Sequence, residues 1–196
     1  MIIVGLTGSI GMGKTTTANM FKELGCPVFD ADQAVKELYD KGGKAVPLIK
    51  AVFPDAVKEG AVDRKALGKH MRQDPLNLKI LESFVHPWVA ELRQNFFEDS
   101  LSKKSDVVIL DVPLLFETKG HEKVDKTIVV TAPYEVQKKR VLAREGMNEA
   151  LFETLLARQM PDAEKQKLAD YVISTATSLS DTKEQVQSVL EELYQL

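Results

Sequence analysis

Apolar residues along this chain come in short unbroken runs, at positions 2–6, 28–29, 107–110, 127–130 and 171–173. Continuous runs, rather than strict alternation, predict strands covered on both faces. Between them the period shifts toward that of a helix. Strands alternating with helices predict right-handed βαβ crossovers and an α/β fold with a doubly wound parallel sheet carrying helices on both faces. A helix is predicted over 16–24, closed by Gly25. The last segment sets Val186, Val189, Leu190 and Leu193 on one face and reads as the closing helix.

One interval, 40–105, is too long for a single crossover and contains Pro47, Pro54, Pro75 and Pro87. Leu76, Ile80, Leu81 and Phe84 form one apolar stripe, and Val89, Leu92 and Phe96 form another behind Pro87, which is expected to start a helix. The interval reads as a helical lobe inserted into a single domain spanning 1–196. It would either hold a second substrate or simply pack.

Composition narrows the function classes. With 196 residues, 44% hydrophobic and 28% charged, the chain matches a soluble globular domain. A net charge of -3 argues against a broad nucleic-acid surface. Its apolar runs are strand-sized, so no membrane association is expected. Met1 leads straight into the first run, with no secretory leader pattern. The one cysteine, Cys26, excludes an internal disulfide and is expected to be a buried structural thiol; the three histidines show no zinc spacing. A reducing cytoplasm is the expected location. Oligomeric state is not legible.

Directly after the first run comes Gly8-Ser9-Ile10-Gly11-Met12-Gly13-Lys14-Thr15, which fits G-x-x-x-x-G-K-[ST] with a strand in front and a helix behind. Such a loop cradles a polyphosphate on backbone amides. Gly8, Gly11, Met12, Gly13, Lys14, Thr15 and Thr16 are therefore the expected nucleotide-binding residues. Lys14 would reach the β- and γ-phosphates, and the Thr15 hydroxyl would take one Mg²⁺ position. Asp111, at the end of the third run, would support the same ion.

Two acids, Asp30 and Asp32, follow the second run, where open parallel sheets bind ligands. Either would serve as a base or metal ligand, or cap the next helix; spacing alone does not rank them. The loop Val112-Pro113-Leu114-Leu115-Phe116-Glu117 is unusually apolar for a strand end, which implies ligand contact or docking against the lobe. Arg140 and Arg144 share a helix face, with Gly146 behind them as a hinge. Residues 138–160 thus read as a lid closing cations over the γ-phosphate, against a solvated basic face as the alternative. His86, before Pro87-Trp88, is either a base-contacting or a structural histidine.

Several of these stretches, in this order, resemble the bacterial-type dephospho-coenzyme A kinase family. They are Gly5-Leu6-Thr7-Gly8 through Thr15, Phe29-Asp30-Ala31-Asp32, His86-Pro87-Trp88-Val89, Asp111 through Glu117, Arg158-Gln159-Met160, and Ala169-Asp170-Tyr171-Val172-Ile173. The resemblance implies a P-loop kinase fold and ATP-dependent phosphorylation of the ribose 3′-hydroxyl of dephospho-CoA, the last step of CoA synthesis. It implies Asp32 as the base with Thr7 close by, and substrate contacts from His86, Leu114, Leu115 and Glu117. One departure stands out. Where the family often carries an Asn-x-Gly turn near the adenine, this chain has Ser174-Thr175-Ala176-Thr177-Ser178, so base preference stays open.

Two other readings compete. Another small-molecule kinase on the same core would share the P-loop, while a nucleotide switch would need an N-K-x-D guanine motif, and no such string occurs.

Overall fold

The computed structural model describes residues 1–196 and resolves these patterns into seven strands and nine α-helices. First come β1 (Ile2–Thr7), α1 (Lys14–Glu23), β2 (Val28–Asp30), α2 (Ala31–Tyr39) and α3 (Val46–Val52). A small hairpin of β3 (Val57–Lys58) and β4 (Ala61–Val62) leads into α4 (Arg64–Gln73) and α5 (Pro75–Ser102). Then follow β5 (Val107–Asp111), β6 (Lys126–Thr131), α6 (Tyr134–Leu142) and α7 (Glu149–Leu156). The chain closes with α8 (Asp162–Leu168), β7 (Tyr171–Ser174) and α9 (Leu179–Leu193).

The sheet has the order β2-β5-β1-β6-β7, with β1 parallel to both β5 and β6, and β6 parallel to β7. Consecutive strands that are not sheet neighbours require crossovers, as the alternating pattern predicts. Val4, Leu6, Ile109, Ile128, Val130 and Ile173 face one core with Phe21 of α1 and Val186, Leu190 and Leu193 of α9. Their neighbours in sequence, Val108, Leu110 and Val129, are also buried. Both sheet faces are therefore covered, which is why the strands read as continuous apolar runs. Cys26 lies in the same core, and burial pushes its thiol up to about 12, so it is an inert packing residue as expected. The register sets Leu6 beside Asp111 and Thr7 beside Val129. Three strand ends thus finish together at the carboxyl edge, where the first loop begins.

Contacts divide the chain into two compact units, one of Met1–Phe29 with Ser100–Leu196, the other of Asp30–Asp99. The second unit begins ten residues before the proposed lobe because α2 belongs to it: Leu38 and Tyr39 pack with Ile49, Phe53, Leu67, Leu81 and Val85.

The expectation of a helix starting at Pro87 is corrected. Pro87 lies inside α5, a single helix of 28 residues. An internal proline costs about 3 kcal/mol or more, through its missing N–H and its clash with the preceding turn. Leu81 and Val85 before it, and Trp88, Val89 and Leu92 after it, all pack into one apolar cluster at three- and four-residue spacing. Each buried side chain of this size contributes about 1.5–3 kcal/mol, so continuity of the stripe outweighs the proline. Leu76, assigned to the stripe, is instead exposed. Pro87→Ala should raise the denaturation midpoint, by roughly 1–3 kcal/mol of stability. A lower midpoint would show that the local distortion is needed for packing.

Candidate functional site

The loop after β1 is built around close approaches. A Cβ on Gly8 would lie 2.7 Å from the Val130 carbonyl, so only glycine lets the chain leave the sheet there. Gly13 has φ +94° and is the N-cap of α1, with no side chain to accept from the first turn. The first bond inside the helix is Thr17 N–H to the Gly13 carbonyl, at 3.0 Å. The amides of Lys14, Thr15 and Thr16 are left without a protein acceptor, and the positive end of the helix dipole lies behind them. This is an anion site made of backbone. Thr15 and Thr16 are exposed. Met12 departs from its expected role. Its amide donates to the Ser9 carbonyl at 3.1 Å, and its side chain is buried, with Sδ accepting from the Ala132 amide.

Lys14 pairs with Asp111, whose carboxylate is almost fully buried at the end of β5. The loop beyond Asp111 is anchored by the Thr7 hydroxyl, which donates to the Pro113 carbonyl at 3.0 Å. Leu114 faces outward, 40% exposed. Leu115 is corrected: it is 1% exposed and packs where a Cβ on Gly5 of β1 would sit, so it serves as a core anchor rather than a ligand contact. Glu117 is corrected too. Its Oε1 accepts the Met160 amide at 2.9 Å and lies 2.8 Å from the fully buried Lys165 ammonium. The ammonium is not aligned for a hydrogen bond, so the pair is mainly Coulombic. Burial alone would raise the Glu117 carboxyl, but the Lys165 charge and the backbone donors outweigh it and hold the group below the usual range. Glu117 is a strut tying the loop after β5 to the segment entering α8.

The two arginines expected on a lid differ. Arg140 spends both terminal nitrogens on Thr175: Nη1 donates to Oγ1 at 2.8 Å and Nη2 to the carbonyl at 2.7 Å. The Thr175 hydroxyl in turn donates to the Met12 carbonyl at 2.8 Å. Arg144, one turn later, is exposed and its guanidinium has no hydrogen-bond or ion-pair partner. Together with Gly11, Gly13 and Thr16, these residues line a cavity of about 360 Å³ beside the phosphate-binding amides. Lys138 pairs with Glu149 and Tyr134 with Glu153, joining α6 to α7, and Gly146 between them has φ +76° with nothing near its Cβ position.

In the other unit, Asp30 and Asp32 differ in their partners. Asp30 caps α2, accepting the Gln33 amide at 2.9 Å. Asp32, in the first helical turn, is exposed and has no hydrogen-bond or ion-pair partner. His86 is exposed on α5. No group of three or more acidic, histidine or cysteine side chains forms a metal cage.

Comparison with known proteins gives the chain a family. The family model for dephospho-CoA kinase matches residues 2–181. A dephospho-CoA kinase of Bradyrhizobium diazoefficiens is 47% identical over 196 residues, covering 100% of this chain and 98% of its own. The chain belongs to the dephospho-CoA kinase family. The Thermus thermophilus protein TT1252 superposes with TM-score 0.83 and 37% identity, covering 98% of this chain and 97% of that one. Dephospho-CoA kinase from Campylobacter jejuni gives 0.71 and 27%, covering 97% and 96%. Shikimate kinase from Acinetobacter baumannii, at 0.54 and 17% over 100% and 94%, shares the fold alone.

Against this family frame, sequence reasoning missed several contributors. Gln137 and Gln159 grip Ile10 of the P-loop: Gln137 Nε2 donates to its carbonyl at 2.7 Å, and Gln159 Oε1 accepts its amide at 3.0 Å. Gln159 lies in the Arg158-Gln159-Met160 stretch noted for family likeness, but Gln137 and Lys165 carried no local signal. Lys165→Met should destabilise by about 1–3 kcal/mol, because the half-buried Glu117 carboxylate would lose its counter-charge and keep only the Met160 amide. Stability from this pair should be full above the ordinary glutamate value of 4.5 and fall as pH drops through the depressed folded value. Denaturant melts of wild type and variant between neutral and acid pH check both statements; a variant with an unchanged acid limb would remove Glu117 as a contributor.

Proposed function

We propose that this family member transfers the γ-phosphoryl group of ATP to the ribose 3′-hydroxyl of dephospho-CoA, giving CoA and ADP in the last step of CoA biosynthesis. The substrate rests on one observation, the family match over residues 2–181. Phosphoryl transfer as the chemistry is supported by the uncapped amides of α1, the adjacent Lys14 and the exposed Arg144. Phosphoryl transition states are loose, so positioning and charge stabilisation carry most of the catalysis. In this reading the amides of Lys14, Thr15 and Thr16 and the Lys14 ammonium take the phosphates. Arg140, fixed on Thr175, walls the nucleoside cavity, and Arg144 is the mobile cation of a lid spanning 138–160.

Mg²⁺ fits the donor set. Magnesium keeps most of its waters and takes one or two protein oxygens beside phosphate oxygens. Thr15, with an exposed side chain beside the free amides, and Asp111 would hold it, and the ion would neutralise charge on the β- and γ-oxygens. The unit of Asp30–Asp99 is read as the dephospho-CoA lobe, with His86 and, from the β5 loop, the exposed Leu114 as contacts. Thr7 would act indirectly, by holding the Pro113 carbonyl. Asp32 is the base, since Asp30 is occupied as a helix cap. No helix is long and apolar enough to cross a membrane, which together with a reduced, buried Cys26 supports the cytoplasm as the site of action.

The deciding assay measures ADP release from ATP with dephospho-CoA, a nucleoside monophosphate or shikimate as separate acceptors. Turnover is expected with dephospho-CoA; faster turnover on either alternative would reassign the substrate. Asp32→Asn should lower kcat roughly a hundredfold to ten-thousandfold with ATP affinity little changed. Asp30→Asn should mainly cost stability, about 1 kcal/mol or less. Nearly intact kcat in Asp32→Asn would move the base elsewhere. The arginines should split: Arg144→Ala lowers kcat, while Arg140→Ala chiefly raises the KM for ATP. Steady-state kinetics on both variants test this, and the reverse split would exchange their roles.

A further inference from the structure

A second cavity, of about 930 Å³, lies among β6, α6, α7 and α8, near the upper end of the ~300–1,000 Å³ typical of small-molecule sites. Met12, Ala132, Pro133 and Leu156 make its walls largely apolar, and its only charged lining residues are Glu153 and Asp162. No lysine or arginine lines it, and Lys138, over the Tyr134 ring, is already paired with Glu149. A polyphosphate would be repelled there, which sets this cavity apart from the phosphate-binding amides of α1. Asp162 Oδ2 is committed to the Thr131 hydroxyl and Gln166 Nε2, each at 2.6 Å. Glu153 spends only Oε1, on the Tyr134 hydroxyl at 2.7 Å, so Oε2 keeps its acceptor capacity. The same cavity is lined by Gln137 and Gln159, the two side chains that grip the Ile10 carbonyl and amide.

We infer that this cavity is a second binding site, for a small organic cation with an apolar body, and that its occupancy is felt at the P-loop through Gln137 and Gln159. The ammonium pairs with Glu153 Oε2, the apolar body covers Met12 and Leu156, and contact with the glutamines changes how firmly Ile10 is held. This site does not depend on the identity of the phosphoryl acceptor.

Three probes with the same body and different charge test it: tryptamine, tryptophol and indole-3-acetate, titrated into the whole chain and followed by amide and side-chain NH₂ shifts in two-dimensional NMR. Tryptamine should give saturable shifts at Ala132, Gln137, Gln159 and Ile10, and indole-3-acetate should bind at least about tenfold more weakly. Glu153→Gln, which keeps the Tyr134 bond, should weaken tryptamine about tenfold and leave tryptophol unchanged. Ala163→Trp, which fills the cavity from α8, should remove binding of all three. Saturating tryptamine should change the ATP dissociation constant by at least about threefold. Equal binding of the anion, absence of saturation, or shifts centred on Lys14–Thr16 instead would overturn the cation site. An unaltered ATP affinity would overturn its link to the P-loop. Kinase turnover on dephospho-CoA is measured without the probes, so its outcome is independent of these.

Discussion

Three backbone amides at the start of α1 have no acceptor within the protein, and much of the first unit is arranged to keep them so. A serine or aspartate at position 13 would cap the helix and use that capacity up; Gly13 leaves it available. Leaving the amides open forgoes up to about a kilocalorie or two of capping energy, which the surrounding core must offset. The two-sided sheet does this by fixing β1 on both edges, so that the chain leaving Thr7 has a single course. Gly8 hugs the Val130 carbonyl, and the loop then meets α6 and the turn after β7 rather than water alone.

That outer ring of contacts is polar and shared between distant segments. Ile10 is held at both its amide and carbonyl by glutamines from α6 and from the turn after α7. Met12 is held by Ala132 on one side and Thr175 on the other, and Thr175 also carries Arg140. One threonine hydroxyl therefore links the P-loop to Arg140 of α6. In the turn after β7 this chain has a hydroxyl that accepts from a guanidinium and donates to a carbonyl, a combination that an asparagine side chain would need both ends of its amide to reproduce. The wall that Arg140 and Thr175 give the smaller cavity is thus tied to the loop through one residue.

How much of this was legible in the sequence follows from how local each feature is. The sheet strands were legible because burial on both faces removes polar positions from residues such as Val107 through Leu110. The P-loop was legible because its geometry is set by glycines within eight residues, flanked by a strand and a helix. Asp30 and Asp32 were both visible, but which of them caps α2 is decided by a rotation of one residue that spacing does not encode. α5 was misread because Pro87 is a strong local signal, and only the three-dimensional cluster around Leu81 and Val85 outweighs it. Glu117 and Leu115 were visible as parts of a distinctive loop, yet their partners, Lys165 and Gly5, are far away in sequence. The anchoring of Arg140 on Thr175 was illegible for the same reason.

The ion pair between Lys14 and Asp111 has a bearing on discrimination among anions. The lysine is not a bare charge waiting at the loop: a carboxylate, itself nearly sealed from water, already neutralises it. Any incoming anion must compete with that carboxylate, and a group presenting a single weak charge gains little by doing so. A triphosphate brings several negative oxygens at once, spread along a chain long enough to meet the amides and the ammonium together. Threshold behaviour of this kind favours polyphosphates over the far more abundant simple anions of a cell, and it needs no additional recognition residue to do so.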